Sequence, residues 1–571
     1  MRLQVSKTKN AASFYVVKSV YENKRHSSRI VEKLGTYNDL LEKLGGRDPY
    51  EWAEEYVREL NRKEKEGIQP EVIARYSPCR QIDKDVRQSF NGGYLFLKRL
   101  YHDLGLHRIC AEISGRHAFE YDLDSILSRL LYTRILYPGS KRSCRELSER
   151  FIEQPNFDLH QIYRALDVID KETGFIQSEL YQKSRMVSAR NTSVLYYDLT
   201  NYFFQSEEED GLRQYGVSKE HRPAPIVQMG LFMDGDGIPL AFSINPGNTN
   251  EQITLKPLER SILSDFELSR FVVCTDAGLS SHANRLFNSR GERAFVTTQS
   301  IKKLPQPLQE WALEPEGWCL EGGKGRFDLR TISEEAHRQS VFYKAQWVEM
   351  EGLRQQMIIT YSLSYRDYAR SVRERQVSRA VRQMEENPSR LTRQGQNDAK
   401  RFLKRTDITP DGEIASRTSW SLNAGAIDKE ARYDGFYAVC TNLAGDVKEI
   451  IAINKRRWEI EECFRMLKSE FKSRPVYLSR DERIRAHFTS CFLALVLFRY
   501  MERKLNNRFT CHDIISQLRE MNFLKIPNQG YVPAYTRTDF TDALHEAFGF
   551  RTDYEIVTDK EMKRIMRSTK K

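Results

Sequence analysis

The chain has 571 residues, too many for a single hydrophobic core, so its length predicts three or more packed units. Hydrophobic residues make up 40% and aromatic residues 11%, which excludes a disordered protein. The net charge of +11 indicates a polyanionic partner such as nucleic acid, although charge bears on binding and not on fold.

Cysteine usage and hydropathy indicate the compartment. Nine cysteines are scattered without a C-x-x-C pair, so the sequence predicts neither a zinc site nor a disulfide framework. The first residues lack the apolar core of a secretion signal. The longest apolar run, residues 488–498, is shorter than the roughly 20 residues of a membrane span and predicts a buried helix. We therefore expect a cytoplasmic protein that makes no membrane contact.

The N-terminal third divides into two patterns. Residues 1–85 open with alternating apolar and polar positions, which predict a small β-hairpin with its turn at residues 22–24, and continue as a charged helix. Residues 86–190 keep a helical spacing of leucines. This helical region is expected to bind DNA, to dimerise, or to support its neighbour.

Residues 191–300 have a pattern of β-strands and helices. The order of apolar runs predicts three strands, a helix, a strand, a helix and a strand, which together make an α/β unit with a mixed sheet. Asp198 lies in the middle of the first strand, and Asp276 lies at the end of the fourth.

Regularity is lost over residues 301–432, where strand-like pieces precede a basic helical stretch at residues 366–405. That stretch contains 12 Arg or Lys residues against five Asp or Glu residues. It is either a solvated helix face or a surface that follows phosphates, and clustered arginine favours the second interpretation. The candidate DNA contacts here are Arg366, Arg370 and Arg373.

Residues 433–505 begin with a buried strand and continue into residues 454–468, a stretch of helical composition without Gly or Pro. A helix would bring three polar side chains within roughly 40° of one another on one face. These are Arg457, Glu461 and Lys468. A carboxylate between two cations is suited to holding a metal ion beside a phosphate. Residues 506–571 predict a small mixed C-terminal region.

Asp198, Asp276 and Glu461 are the candidate catalytic and metal-binding residues. Each also has a structural interpretation. Asp198 would be a buried acid paired with an arginine or hydroxyl, and Asp276 would be a turn cap. Glu461 would be the partner of Arg457 in a surface ion pair. Carboxylates suit Mg²⁺, with Mn²⁺ as a possible substitute, and two such ions would activate the attacking oxygen and stabilise the leaving oxygen of a phosphodiester. Arg457 and Lys468 would hold the DNA backbone.

These residues resemble the insertion-sequence DDE transposases, which have an RNase H-like catalytic core. One subgroup with a β-rich insertion carries Tyr-x2-Arg-x3-Glu-x6-Lys around its glutamate, and this chain has Asn454-x2-Arg457-x3-Glu461-x6-Lys468. The match departs at Asn454, which can hydrogen-bond a phosphate but lacks the ring. The resemblance implies an α/β fold with a mixed sheet, interrupted by a β-rich insertion and preceded by a helical region.

The resemblance also implies an activity. The enzyme would nick DNA at the element ends with water and then use the freed 3′-hydroxyl to attack target DNA. Its partners would be the terminal inverted repeats and the target DNA, bound by a nucleoid-associated homodimer. An aromatic that stacks on a flipped base would be Trp347 or Trp420. Two alternatives are a catalytically inactive DNA-binding protein of this descent, and an RNase H-like nuclease that cuts without joining.

Overall fold

The computed structural model describes residues 1–8, 11–22, 25–67, 72, 76–220, 222–386, 398–408 and 417–570. The chain divides into two compact units, Met1–Lys84 and Asp85–Lys571. Two parts of the sequence predictions, turn residues 23 and 24 and residues 387–397 of the basic stretch, lie outside the described residues.

The first unit is a three-stranded antiparallel sheet with two helices. Its elements are β1 (Arg2–Lys7), β2 (Ala12–Glu22), β3 (Arg25–Thr36), α1 (Tyr37–Lys43) and α2 (Pro49–Gly67). Thr36 ends β3 and caps α1 through a capping box with Asp39. The alternation of β2 turns Phe14 inward, where it packs against Leu40 and Ala53 of the helices. The predicted hairpin therefore has a third strand.

Helices dominate the start of the second unit, as the leucine spacing predicts. After the short strand β4 (Ser89–Asn91) come α3 (Tyr94–Asp103), α4 (Leu106–Arg116), α5 (Leu123–Leu136), α6 (Lys141–Ser148), α7 (Leu159–Lys171) and α8 (Thr173–Val187). The N-caps Asp122 and Ser140 accept backbone N–H groups at the starts of α5 and α6.

The element order predicted for residues 191–300 is confirmed. It runs β5 (Val194–Phe203), β6 (Ile226–Asp234), β7 (Pro239–Pro246), α9 (Leu255–Asp265), β8 (Val272–Thr275), α10 (His282–Asn288) and β9 (Ala294–Gln299). The strands β5, β6 and β7 pair antiparallel, whereas β8 pairs with β5, and β9 with β8, in parallel. The sheet is therefore mixed, and β5 is covered by a neighbour on each side.

The next segment extends this sheet. Its elements are α11 (Gln306–Leu313), β10 (Trp318–Leu320), β11 (Arg326–Phe327), α12 (Glu334–His337), β12 (Phe342–Met350), β13 (Leu353–Tyr361), α13 (Leu363–Glu386), β14 (Leu403–Ile408), β15 (Arg417–Leu422), α14 (Ala424–Ala431) and β16 (Phe436–Thr441). Strand β16 pairs with β9 on one side and β13 on the other, which gives the ten-stranded order β11-β10-β12-β13-β16-β9-β8-β5-β6-β7. The edge of β9 is thereby covered. Strands β14 and β15 form a separate pair.

The C-terminal part supplies the remaining elements. They are α15 (Val447–Lys455), α16 (Trp458–Arg465), a π-helical segment Met466–Glu470, α17 (Asp481–Lys504), α18 (Cys511–Glu520), β17 (Asn522–Ile526), β18 (Gly530–Pro533), α19 (Asp539–Phe548), β19 (Val557–Thr558) and α20 (Asp559–Ser568). Strands β19, β18, β17 and β4 form a four-stranded sheet. The single helix predicted over residues 454–468 is wrong in detail, because a turn at residues 456–457 and the π-helical segment divide it.

Helix α17 lies in the main hydrophobic core. The apolar run at residues 488–498 is buried within it, as predicted, and α17 packs against α3, α5 and α7. Arg483 and Arg485 near its start form ion pairs with Asp167 and Asp170 of α7. Across the described residues, we find no helix with the length and apolarity needed to span a bilayer.

Candidate active site

Asp198 is a buried carboxylate in the central part of the sheet. It lies on β5, is 9% exposed, and its Oδ1 accepts the N–H of Leu199 at 2.8 Å. Burial raises the pKa of Asp198 to about 6, and the carboxylate of Asp276 acts in the same direction. Lys219, the Leu199 N–H and Arg457 partly offset this rise in pKa. The negative charge on Asp198 is therefore more costly than on an exposed aspartate, and added positive charge would stabilise it.

Strand pairing brings Asp276 to Asp198. Tyr196 of β5 is the parallel partner of Cys274 of β8, and each aspartate lies two residues further along its own strand direction. The two carboxylates therefore lie near each other, where β8 ends beside the middle of β5. The Oδ1 of Asp276 also accepts the N–H of Leu279 at 3.1 Å and caps a short 3₁₀ turn, so the structural role considered for this residue is present as well.

Arg457 connects these aspartates to Glu461. It is the N-cap residue of α16, and its Nη2 lies 3.5 Å from Oε1 of Glu461, one helical turn later. The Glu461 side chain is 59% exposed. Burial lowers the pKa of Arg457, but electrostatic contacts that include Asp198, Glu461 and Asp276 raise it more. One guanidinium thus interacts with all three candidate carboxylates.

A tyrosine hydroxyl that the sequence did not single out lies beside the start of α16. The Nδ2 of Asn454 donates to Oη of Tyr437 at 3.3 Å, and that hydroxyl lies 2.6 Å from Oγ1 of Thr298. Tyr437 also raises the pKa of Arg457. No local pattern would identify Tyr437, because only the pairing of β16 with β9 brings it to this position.

Two lysines face Asp198. Lys468 lies in the π-helical segment with its side chain 15% exposed. Burial lowers its pKa to about 8, Lys219 acts in the same direction, and Asp198 opposes them. Lys219 comes from the loop between β5 and β6, and its Nζ donates to the carbonyl oxygen of Leu199 at 2.7 Å. Sequence reasoning missed Lys219, since an exposed loop lysine carries no distinguishing pattern.

The arginines predicted to contact DNA lie on α13, in different surroundings. Arg366 forms an ion pair with Glu334 at 2.7 Å, and Arg373 forms one with Asp434 at 2.5 Å. Arg370 is exposed. The charge of Arg366 and Arg373 is thus balanced within the chain, and their contact with DNA stays a prediction.

The two tryptophans considered for base stacking differ in exposure. Trp347 on β12 is partly exposed, and the guanidinium of Arg354 lies 5.2 Å from its ring centre. Trp420 on β15 packs against a small cluster that contains Ala380 and Leu403. Trp420 thus has the surroundings of a core residue.

The carboxylates fit a divalent cation in part. Burial and the carboxylate of Asp276 raise the cost of ionising Asp198, and oxygen donors of this kind suit a hard cation. Over the ranges that the structure describes, no three His, Cys, Asp or Glu side chains are grouped closely enough to hold a metal ion. Glu461 is instead engaged by Arg457. The three-carboxylate metal site therefore stays a prediction.

Comparison with known proteins gives one family match. Residues 342–497 match the family model described as the transposase DDE domain. This range includes Arg457, Glu461 and Lys468 and begins after Asp198 and Asp276. No curated protein matches the chain.

Among solved structures, the chain is similar to the piggyBac transposase in a synaptic complex with hairpin DNA. The identity is 8%, the TM-score is 0.36, and the alignment covers 75% of this chain and 79% of the other. The family match confirms the resemblance to DDE transposases, and it does not test the Tyr-Arg-Glu-Lys signature. Residues 342–497 are therefore the part of the chain that is similar to a transposase DDE domain.

Proposed function

We propose that this chain is a DDE transposase that cuts DNA at the ends of its element and joins the freed 3′-hydroxyl ends to target DNA. The observation that carries the proposal is the convergence of Asp198 and Asp276 from two parallel strands, with Glu461 linked to them through Arg457. An RNase H-like core is part of the proposal. The positions of the three carboxylates support it. Asp198 lies on the first strand of the unit, Asp276 follows the fourth strand, and Glu461 lies on a late helix.

Asp198, Asp276 and Glu461 are the residues that would hold Mg²⁺, with Mn²⁺ as a substitute. When bound, such an ion activates water and neutralises the charge that develops on a phosphodiester. To join the aspartates, Glu461 has to leave Arg457, to which it is ion-paired at 3.5 Å. The guanidinium of Arg457 is then available to hold a backbone phosphate with two parallel hydrogen bonds.

The cations around Asp198 give the chain a means to hold DNA. A backbone phosphate would stabilise the charged form of Lys468, whose pKa burial lowers to about 8. The exposed Arg370 on α13 offers a further contact. Terminal inverted repeats and target DNA are the proposed substrates, bound by a homodimer at the nucleoid.

The test is cleavage of a plasmid that carries the inverted repeats flanking the reading frame, with MgCl₂ present. We expect Asp198→Asn to lower the rate by on the order of 100-fold or more, because an amide lacks the charge that a cation requires. Asp265→Asn is the matched control, since Asp265 is exposed at the end of α9. Unimpaired Mg²⁺-dependent cleavage by Asp198→Asn would reject the proposal.

A second assay separates the alternatives. Element ends that have been cut beforehand are supplied with a target plasmid, and joined products are measured. A transposase forms joined products, a nuclease on the same core cuts without forming them, and a catalytically inactive descendant binds the ends without cutting them.

A further inference from the structure

The loop at residues 204–225, which joins β5 to β6, carries two charged residues into the candidate site. Lys219 lies beside Asp198, whose pKa it lowers, and its Nζ donates to the carbonyl oxygen of Leu199. Its neighbour Glu220 turns toward a different set of groups. We call residues 204–225 the β5–β6 loop.

Glu220 bridges cations that come from distant parts of the chain. Its Oε1 lies 3.6 Å from Nζ of Lys468 and also contacts the guanidinium of Arg474. The Glu220 side chain is 26% exposed, so the bridge lies at the rim of the site and not in the core. Arg222 of the same loop pairs with the other carboxylate oxygen at 3.6 Å.

The cations are held by the scaffold. Arg474 follows the π-helical segment, and its guanidinium lies 5.8 Å from the centre of the Phe203 ring at the end of β5. Two residues later, the N–H of Val476 donates to the carbonyl oxygen of Phe203 at 3.2 Å, which fixes this segment against the strand. Lys468 lies over the ring of Tyr202, 5.6 Å from its centre.

Glu220 is the carboxylate that several cations of this rim share. Burial and, after it, Lys219 lower the pKa of Lys468, while Nζ of Lys219 itself lies 3.8 Å from Oε1 of Glu251. The single carboxylate of Glu220 pairs with three cations, Lys468, Arg474 and Arg222. This arrangement of three cations around one small anion is the kind that backbone phosphates occupy in protein–DNA complexes.

We propose that Lys219, Lys468 and Arg474 form a binding site for a backbone phosphate of the DNA substrate, in which Glu220 is an internal substitute that the phosphate displaces. The proposal rests on the proposed function, because it names the part of the substrate that this rim holds. A phosphodiester carries one negative charge, as the carboxylate does, so the exchange preserves the local charge.

The experiment measures binding without catalysis. The full chain is titrated, in EDTA and at several salt concentrations, against a short fluorescent DNA duplex of unrelated sequence, with anisotropy as the readout. We expect Lys219→Gln to lower the slope of log affinity against log salt by about 0.9, the value for one phosphate contact. An unchanged slope would overturn the proposal.

The second arm tests the displacement. Glu220→Gln is expected to raise the affinity several-fold, because the phosphate no longer competes with a carboxylate. Glu208→Gln removes the same charge from an exposed position in the same loop and serves as the control. Equal gains from the two variants would mean that only net charge matters, and this would overturn the proposal. Thermal unfolding midpoints check that each variant is folded.

The two proposals fail separately. If the wild-type chain shows no Mg²⁺-dependent cleavage, the proposed transposase activity is rejected. The binding effects are measured in EDTA and depend only on the phosphate site. Normal cleavage with an unchanged salt slope in Lys219→Gln rejects the phosphate site alone.

Discussion

Asp198 is the residue where the fold opposes the charge that the chemistry requires. A carboxylate on a buried strand, next to a second carboxylate, is costly to ionise, and its pKa rises accordingly. Sites that bind a cation often have this property, because the bound ion offsets a cost that the empty site bears. The same cost predicts a measurable dependence of stability on pH.

The substitution Asp198→Asn tests this dependence. The folded-state pKa of about 6 lies above the ordinary value of 3.8, so folding favours the protonated carboxyl. The stabilisation that the protonated carboxyl of Asp198 contributes is fully present below about pH 4 and is lost as the pH rises through about 6. At pH 8 the asparagine variant should therefore be more stable than the wild type by about 2–3 kcal/mol, and the difference should disappear at low pH.

Urea unfolding in EDTA across this pH range measures the difference. Asp265→Asn, at an exposed position, should show no such dependence. A stability difference for Asp198→Asn that is constant with pH would contradict the assignment of the raised pKa to this residue.

At the scale of elements, the division of the predicted helix into α15, α16 and a π-helical segment decides which side chains meet. The turn at residues 456–457 makes Arg457 an N-cap residue, from which it reaches both the aspartates and Glu461. The π-helical segment, which has more residues per turn than an α-helix, changes the direction in which Lys468 points. Spacing alone would place Lys468 on the same straight face.

Helix α17 forms part of the core against which the π-helical segment packs. It is buried along most of its length, and Leu495 in its middle is fully buried. We expect Leu495→Ala to lower the free energy of unfolding by about 2–5 kcal/mol, because it leaves a cavity in a core that cannot fully collapse.

Chemical denaturation of the full chain measures this change. Leu524→Ala on β17 is the control, since that side chain is 47% exposed and should change the stability by less than about 1 kcal/mol. Similar losses in the two variants would show that α17 is not the centre of the core.

At the scale of the whole molecule, the chain consists of two compact units with separate cores. Phe14, Leu40 and Ala53 belong to a cluster of the first unit, whereas the main core lies within residues 85–571. A unit with its own core is expected to fold by itself.

Removal of residues 1–84 should therefore leave a folded protein. Its thermal midpoint, measured by calorimetry, should equal that of the larger transition of the full chain. A lowered midpoint or loss of the transition would show that the second unit needs the first for its stability. The inverse experiment, residues 1–84 alone, should give the smaller transition.

Local patterns in the sequence determine much of this protein. Alternation and helical spacing predict the order of strands and helices over residues 191–300 and the buried helix at residues 488–498, because each pattern reports which face of an element is buried. The resemblance to DDE transposases is confirmed by the family match over residues 342–497, whereas the spacing of Arg457, Glu461 and Lys468 stays a prediction.

Only the tertiary structure decides the rest. Asp198 and Asp276 meet because β5 and β8 pair in parallel with one particular register, and register depends on contacts between distant parts of the chain. Tyr437 and Lys219 reach the site through a strand pairing and a loop, neither of which has a local signature. A residue's own neighbours determine its element, but the packing of elements determines which side chains share a site.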